Sequence, residues 1–320
     1  GSNMLGIEKP NLTFSEFDER KNYLKLTVEP LERGYGMTLG NSLRRIMLSS
    51  LPGCAIKWVK FDDVLHEFST IDGVQEDVVD IILNIKGLVA NIHSEEVEKI
   101  LRIDVSKAQV ITAGDIIADA DVEIINPDLY IASLTENKPF YMEMCLTRGR
   151  GYVSAEENKL EIEDTLSVIA IDSVFTPVTR ANFTVEPTRV GKSSNYDRLI
   201  HEVWTDGSIR PEEAISMAAK VLNDHLDLYI QLTDSVEHME ILYERESETK
   251  EKAMEMTVEE LELTQRSRNC LKRAGINTIE ELISKTEEDL MKVRNLGKKS
   301  LAEIKEKLAE MDFSLRSTEE

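Results

Sequence analysis

Arg266-Ser-Arg-Asn-Cys270 and Asn295-Leu-Gly-Lys-Lys-Ser300 are the runs on which the reading of this chain turns. Around them, Thr257 with Glu260, Thr278 with Glu281 and Thr286 with Asp289 each set a hydroxyl three residues before a carboxylate. That spacing satisfies the free N–H groups where a helix begins, and predicts a helix start at each site. Leu301, Ile304, Leu308 and Met311 recur at three and four residues, so the last helix should have one apolar face and turn Lys298, Lys299, Lys305 and Lys307 to water. Residues 257–315 therefore read as a small all-helical module. Asn295-Leu296-Gly297 tolerate the left-handed backbone of a tight hairpin, which should leave the N–H groups of Gly297, Lys298 and Lys299 facing outward. A helix start with unpaired N–H groups and two lysines favours phosphate. Arg266 and Asn269, one turn apart, add a guanidinium fork and an amide suited to a groove edge or a sugar. The plainer alternative is a solvated lysine face beside an ordinary turn.

Outward from the module, residues 235–255 hold seven acidic and three basic side chains, no Gly and no Pro. They read as a flexible linker with a reach of about 25 Å r.m.s. as a coil, though Glu, Lys and Met also permit local helix. Leu24, Leu26 and Val28 alternate in a half-buried strand over 23–29 that ends at Pro30, and Gly34-Tyr-Gly36 turns the chain into a helix over 38–49. Leu39, Leu43, Ile46 and Met47 form that helix's apolar stripe. A second amphipathic helix starts at Pro211 and carries Ile215, Ala218, Leu222, Leu226 and Ile230. Two such faces can pair within one chain or between chains. From 53 to 177 the pattern changes to short alternating strands at 56–61, 100–105, 122–125, 140–146 and 168–175, with one helix at 76–86. The expected class is α+β. A discontinuous first subdomain (4–52 and 178–234) carries an inserted mixed α+β subdomain (53–177), followed by the linker (235–255) and the helix-hairpin-helix-like domain (256–315).

A chain of 320 residues exceeds what one hydrophobic core usually serves, and 41% apolar content is enough for several. No apolar run reaches the length of a membrane span and no charged-then-apolar leader appears, so neither membrane nor secretion is expected. Gly1-Ser2-Asn3 ahead of Met4 reads as an expression remnant. Cys54, Cys145 and Cys270 are far apart and lack C-x-x-C spacing, which fits reduced thiols in a cytoplasm. The net charge of −22 opposes nucleic-acid binding until it is divided. Residues 1–234 carry 23 basic and 39 acidic groups, while 256–314 carry 11 and 12. The module is nearly neutral, with Arg266, Arg268, Lys272 and Arg273 clustered on one predicted helix, and a local patch is what phosphate meets.

Catalytic constellations are wanting. Gly34-x-Gly36-x-x-x-Gly40 sets its third glycine one residue late for a dinucleotide site and has no βαβ repeat around it, so turn geometry and close helix packing explain it better. Asp62-Asp63 and Glu161, Glu163 and Asp164 read as solvated strand ends rather than a metal loop. His66, His93, His201, His225 and His238 stand singly, and His201-Glu202 lacks the second histidine of a zinc helix. No metal site and no active site is expected in this chain.

Glu262-Leu-Thr-Gln-Arg-Ser-Arg-Asn-Cys-Leu-Lys272 followed by Asn295-Leu-Gly-Lys-Lys-Ser-Leu-Ala-Glu-Ile-Lys305 resembles the C-terminal domain of bacterial RNA polymerase alpha subunits. The resemblance extends to Leu31-Glu-Arg-Gly-Tyr-Gly-Met-Thr-Leu-Gly-Asn-Ser-Leu-Arg-Arg45, Gly73-Val-Gln-Glu-Asp77 and Gly149-Arg-Gly-Tyr-Val153, and covers about residues 8 to 315. It implies a non-catalytic subunit of a nucleotidyltransferase, cytoplasmic and nucleoid-associated, whose N-terminal body dimerises and nucleates assembly with the beta, beta-prime and omega subunits. The C-terminal domain would bind AT-rich upstream promoter DNA, sigma and activators. By matching position the resemblance implies a DNA face of Arg266, Asn269, Cys270, Gly297, Lys299, Ser300 and Glu303, and sigma contacts at Glu260 and Glu262. Lys272 would meet an activator. It also implies beta contacts at Arg45 and Leu48, beta-prime contacts at Lys86 and Val174, and a dimer face of Leu39, Leu43, Met47, Ile215, Leu222 and Leu226. No cofactor is implied in this chain, the holoenzyme's Mg and Zn lying in other subunits. Departures from the family pattern are Ser154 where proline is expected, Met37 where histidine is common, and Asn295 in the first glycine slot of the general helix-hairpin-helix form. A free-standing repair factor with the same hairpin would need a catalytic cluster in 1–234, and a protein-only scaffold would also suit a neutral module.

Overall fold

The alternation at Leu24, Leu26 and Val28 buries those side chains on one face of the strand Tyr23–Glu32. The structure, a computed structural model, describes residues 7–162, 166–239, 241–243 and 246–317, and separates into two units: Pro10–Met239, and Gly1–Lys9 with Glu240–Glu320. Glu163 and Asp164 lie outside the described residues, whereas Glu161 is ion-paired with Lys57 at 2.9 Å.

In the first unit an antiparallel sheet runs in the order Val178–Val190, Ser193–Thr205, Tyr23–Glu32, Asn11–Asp18. The strand passes Pro30 and continues to Glu32, because Pro30 coincides with a register shift between Asp197 and Leu199 on its neighbour, where a missing donor is tolerated. One face is covered by the helices Tyr35–Ser49 and Pro211–Ile230, which contact each other. The first of these begins three residues before its predicted start. Asp197, on the Ser193–Thr205 strand and 8% exposed, accepts the Gly34 and Gly36 N–H groups at 2.9 and 3.2 Å, so the cap comes from a distant strand rather than from the local sequence. Gly34 adopts φ 95°, and a Cβ on Gly40 would stand 2.5 Å from the Phe183 ring. The glycine run serves turn geometry and close packing.

The apolar stripes on these helices turn partly inward. Met47 is fully buried, and the half-buried Leu39, Leu43 and Ile215 pack against the chain's own sheet and helices. Leu222 is half-buried, as Leu39, Leu43 and Ile215 are, and Leu226 is 47% exposed. Ala214 and Ala218 fasten the first half of the Pro211 helix to the sheet, while Leu226, Leu228, Tyr229 and Leu232 are exposed on and just past its second half.

His201 faces the same buried layer, 2% exposed, opposite Phe183 and Leu26, and no partner among the described residues meets its Nδ1. Burial pushes its pKa down to about 4. Because the folded value lies below the unfolded one, only the unfolded chain takes up this proton between pH 6.5 and 4. Stability should therefore fall through that window as pH drops, by about 3 kcal/mol at most. His201→Leu should flatten that loss. Urea melts at pH 7.5 and 5 followed by Trp58 and Trp204, both in this unit, check it, and equal pH dependence in variant and wild type would refute the assignment.

The inserted segment forms an antiparallel sheet ordered Val168–Ala170, Pro52–Phe61, Phe140–Arg150, Glu98–Val105, with the helix Val78–Ile85 packed into its own core of Val59, Ile81, Leu101, Ile103, Met142 and Met144. The single strand expected over 168–175 breaks in two, Val168–Ala170 and Ser173–Val174, because Asp172 leaves the ladder to accept the Ala155 N–H at 2.7 Å. Ser154 then caps an unforeseen helix, Ala155–Glu161, by accepting the Glu157 N–H, a role proline could not fill.

The part of the predicted linker that belongs to the second unit includes a short strand and the local helix its composition permits. Leu242–Tyr243 pairs in parallel with Ile7–Glu8, and Glu246–Glu255 is helical, ending beside Met256, which packs on the module's core. Thr278 and Thr286 form the predicted capping boxes with Glu281 and Asp289. Thr257 does not: it precedes only a 3-10 turn, Val258–Glu260, and makes no side-chain cap. Leu261 and Leu263 are both buried two residues apart, an extended alternation that a helix cannot provide, so the helix Gln265–Arg273 starts later, at Thr264. Among the described residues no helix is long and apolar enough to cross a membrane.

Candidate nucleic-acid interface

The module's core is Leu271, Ile279, Leu282, Leu290, Ile304 and Leu308, each fully buried, and it fixes the helices Gln265–Arg273 and Lys298–Glu310 against one another. On that frame the hairpin Asn295-Leu296-Gly297 divides its work differently from the sequence expectation. Asn295 alone takes the left-handed conformation, at φ 69°, and Leu296 anchors the turn at 5% exposure. Gly297 sits at φ −90°, an ordinary value, and a Cβ there would meet nothing within 4 Å. Glycine is therefore not required by the backbone conformation, and the position is bare of neighbours. Gly297 caps the Lys298 helix with no side-chain bond, and no acceptor among the described residues meets the N–H groups of Lys298, Lys299 and Ser300. The partial positive charge of that helix start is open to solvent.

Arg266, Asn269, Gly297 and Lys299 are exposed, and a shallow depression lined by Arg266, Asn269, Cys270 and Asn295 shows that the Arg266 helix and the turn share one surface. The other residues expected on this face lie beneath it. Cys270 is 5% exposed and its Sγ donates to the Asn295 carbonyl at 3.5 Å, tying helix to turn. Ser300 is buried at the base of the Lys298 helix. Glu303 faces the other helix: its carboxylate accepts the Thr264 N–H at 2.6 Å, the Thr264 hydroxyl at 3.0 Å and the fully buried Ser267 hydroxyl at 2.8 Å. The Thr264 N–H, with those hydroxyls, holds the Glu303 carboxyl below its ordinary range. Sequence reading missed Thr264 and Ser267, since their partner stands more than thirty positions away. Arg273, four residues beyond Asn269 on the same stripe, was legible by periodicity.

The remaining cations differ in freedom. Lys272 is paired with Glu259, Lys305 with Glu287, and Lys307 with Glu310 at 3.4 Å and Glu262 at 3.8 Å. Glu260 and Glu262 are exposed on the module's surface. In the first unit Arg45 and Leu48 are exposed on the Tyr35 helix, Lys86 pairs with Asp172 at 3.4 Å, and Val174 is exposed.

The sequence family of the RNA polymerase Rpb3/RpoA insert domain matches residues 59–176, and that of the C-terminal domain of the bacterial RNA polymerase alpha subunit matches 244–310. The protein is 59% identical over 317 residues to the DNA-directed RNA polymerase subunit alpha of Desulforamulus reducens, covering 99% of its own length and 100% of that relative. It is 58% identical over 314 residues to the subunit alpha of Alkaliphilus oremlandii, covering 98% of each. With an insert domain, a helical C-terminal module and end-to-end identity of this order, the protein belongs to the family of bacterial RNA polymerase alpha subunits.

Proposed function

We propose that the protein is the assembly platform and promoter reader of its polymerase, without an active site of its own. It would pair with a second copy, join beta, beta-prime and omega, and bind upstream promoter DNA, sigma and activators through the module. One observation carries the DNA reading: Arg266 and Asn269 share an exposed surface with the turn before the uncapped start of the Lys298 helix. A guanidinium fits a narrow A-tract minor groove, and free helix N–H groups fit the flanking phosphate. Binding of the full-length protein to an A-tract duplex, followed by fluorescence anisotropy as salt is raised, tests it. A log–log slope reporting a few phosphates is expected, and a flat slope would favour the protein-only scaffold.

The uncovered second half of the Pro211 helix supports self-association, and its occupant would be the same surface of a second copy. Leu226→Glu, a charge placed on a side chain already half in water, should spare the fold and weaken the dimer at least tenfold. Sedimentation equilibrium reads this directly, and an unchanged dimer would remove Leu226 from the interface. The exposed Arg45 and Leu48 are the proposed beta contacts, and Lys86 and Val174 the proposed beta-prime contacts. Exposed Glu260 and Glu262 are the proposed acidic surface for sigma, with Lys272, beside Glu259, meeting an activator.

A further inference from the structure

Arg266, Asn269 and Arg273 recur at three and four residues along the helix Gln265–Arg273, and all three are exposed. The depression that holds Arg266 and Asn269 also has Arg273 and Asn295 in its wall, and a second depression is lined by Arg273, Ala274, Val293, Arg294 and Asn295. Arg273 and Asn295 belong to both, so one trough runs from Arg266 past the turn to Arg294. No acidic residue lines it. Among the described residues none of its three arginines is ion-paired, in contrast to Lys272, Lys305 and Lys307, each held by a glutamate. In a module with nearly equal numbers of acidic and basic groups, these three arginines stand together with no acidic residue among them.

We infer that Arg273 and Arg294 are a second, sequence-independent DNA site: they grip backbone phosphates beside the groove that Arg266 enters. The inference rests on the DNA reading proposed above and extends it. Seven residues of helix separate Arg266 from Arg273, about 10 Å of rise, which exceeds the roughly 6 Å width of a minor groove. With Arg266 in the groove, Arg273 therefore overlies the rail rather than the bases. Arg294, across the trough on the turn, meets the same rail or its neighbour. Phosphate contacts of this kind fix register and add salt-dependent affinity without reading sequence.

The test uses the full-length protein with A-tract and G·C duplexes of equal length, titrated by anisotropy at several salt concentrations. Arg273→Ala with Arg294→Ala should lower the log–log salt slope by about 2, weaken both duplexes by the same factor, and leave the A-tract preference intact. Arg273→Lys with Arg294→Lys should restore the slope, since phosphate asks for charge rather than a fork. An unchanged slope, or a loss confined to the A-tract duplex, overturns the inference. Arg266→Ala in parallel separates the two readings. If it abolishes A-tract preference while the double variant changes nothing, the groove reading stands and the phosphate site falls. If wild type binds neither duplex, both fall together. Thermal melts of each variant guard against misfolding, and all substituted side chains are on the surface.

Discussion

Arg266→Ala should abolish the protein's preference for A·T-rich duplex, with self-association unchanged. The expectation follows from charge arithmetic and placement. The module's basic and acidic groups nearly cancel, so long-range attraction is modest, and phosphate contacts that read no sequence do not replace the preference lost with Arg266. Arg266 is exposed beside Asn269 and unpaired among the described residues, so in the free protein its guanidinium loses no ion pair when it binds. A charge-assisted hydrogen bond contributes about 1.5–3 kcal/mol, and in a narrow minor groove the enhanced negative potential adds to it. The resulting loss, roughly ten- to hundredfold, would carry a weak complex out of measurable range at physiological salt. The residues proposed for pairing two copies belong to the other unit, so sedimentation should return the wild-type dimer. DNase footprints of the reconstituted enzyme give the second readout: protection upstream disappears with Arg266→Ala. Equal footprints from variant and wild type would show that the guanidinium stays out of the groove.

The features that the sequence made legible are those set by short-range chemistry. The capping boxes at Thr278 and Thr286, the apolar face of the last helix and the alternation of the Tyr23 strand all depend on side chains within a few residues of one another. Failures cluster where the deciding partner is remote. Asp197 caps the Tyr35 helix from a strand more than 150 residues later and moves its start. Asp172 breaks a strand to cap a helix that alternation alone cannot reveal. The apolar stripes on the Tyr35 and Pro211 helices were visible, but their division between internal packing and open surface depends on where the sheet ends beneath them. The same distinction governs the candidate site. Residue types picked out one small neighbourhood that the fold does bring together, and burial then separates the exposed Arg266, Asn269, Gly297 and Lys299 from Cys270, Ser300 and Glu303, which hold that surface in shape.

Glu303 offers the sharpest separation of touching DNA from holding the part that does. Its carboxylate joins the two helices that carry the interface, taking the Thr264 N–H and two hydroxyls at the start of the Arg266 helix. In Glu303→Ala, the fully buried Ser267 hydroxyl loses this acceptor and keeps only the Thr264 hydroxyl at 3.1 Å, while the exposed Thr264 N–H exchanges a charged partner for water, together a cost of about 1–3 kcal/mol. A module of this size has only a few kcal/mol of stability in total, so its melting temperature should fall by roughly 10–20 °C. DNA affinity should fall with it as the first turn bearing Arg266 frays. Glu303→Gln keeps an oxygen for the Thr264 N–H and an amide that can donate to the hydroxyls, and should recover most of both properties at pH 7.5. The carboxyl is held below its ordinary range, so its stabilising effect is complete above the unfolded value and is lost as pH falls through the folded one. Acid should therefore reduce the gap between wild type and Glu303→Ala. A carboxylate that met DNA directly would behave in the opposite way, with Glu303→Ala melting like wild type and Glu303→Gln binding as poorly as alanine. Circular dichroism melts beside anisotropy titrations of the same samples decide between the two, because only a positioning residue moves both measurements together.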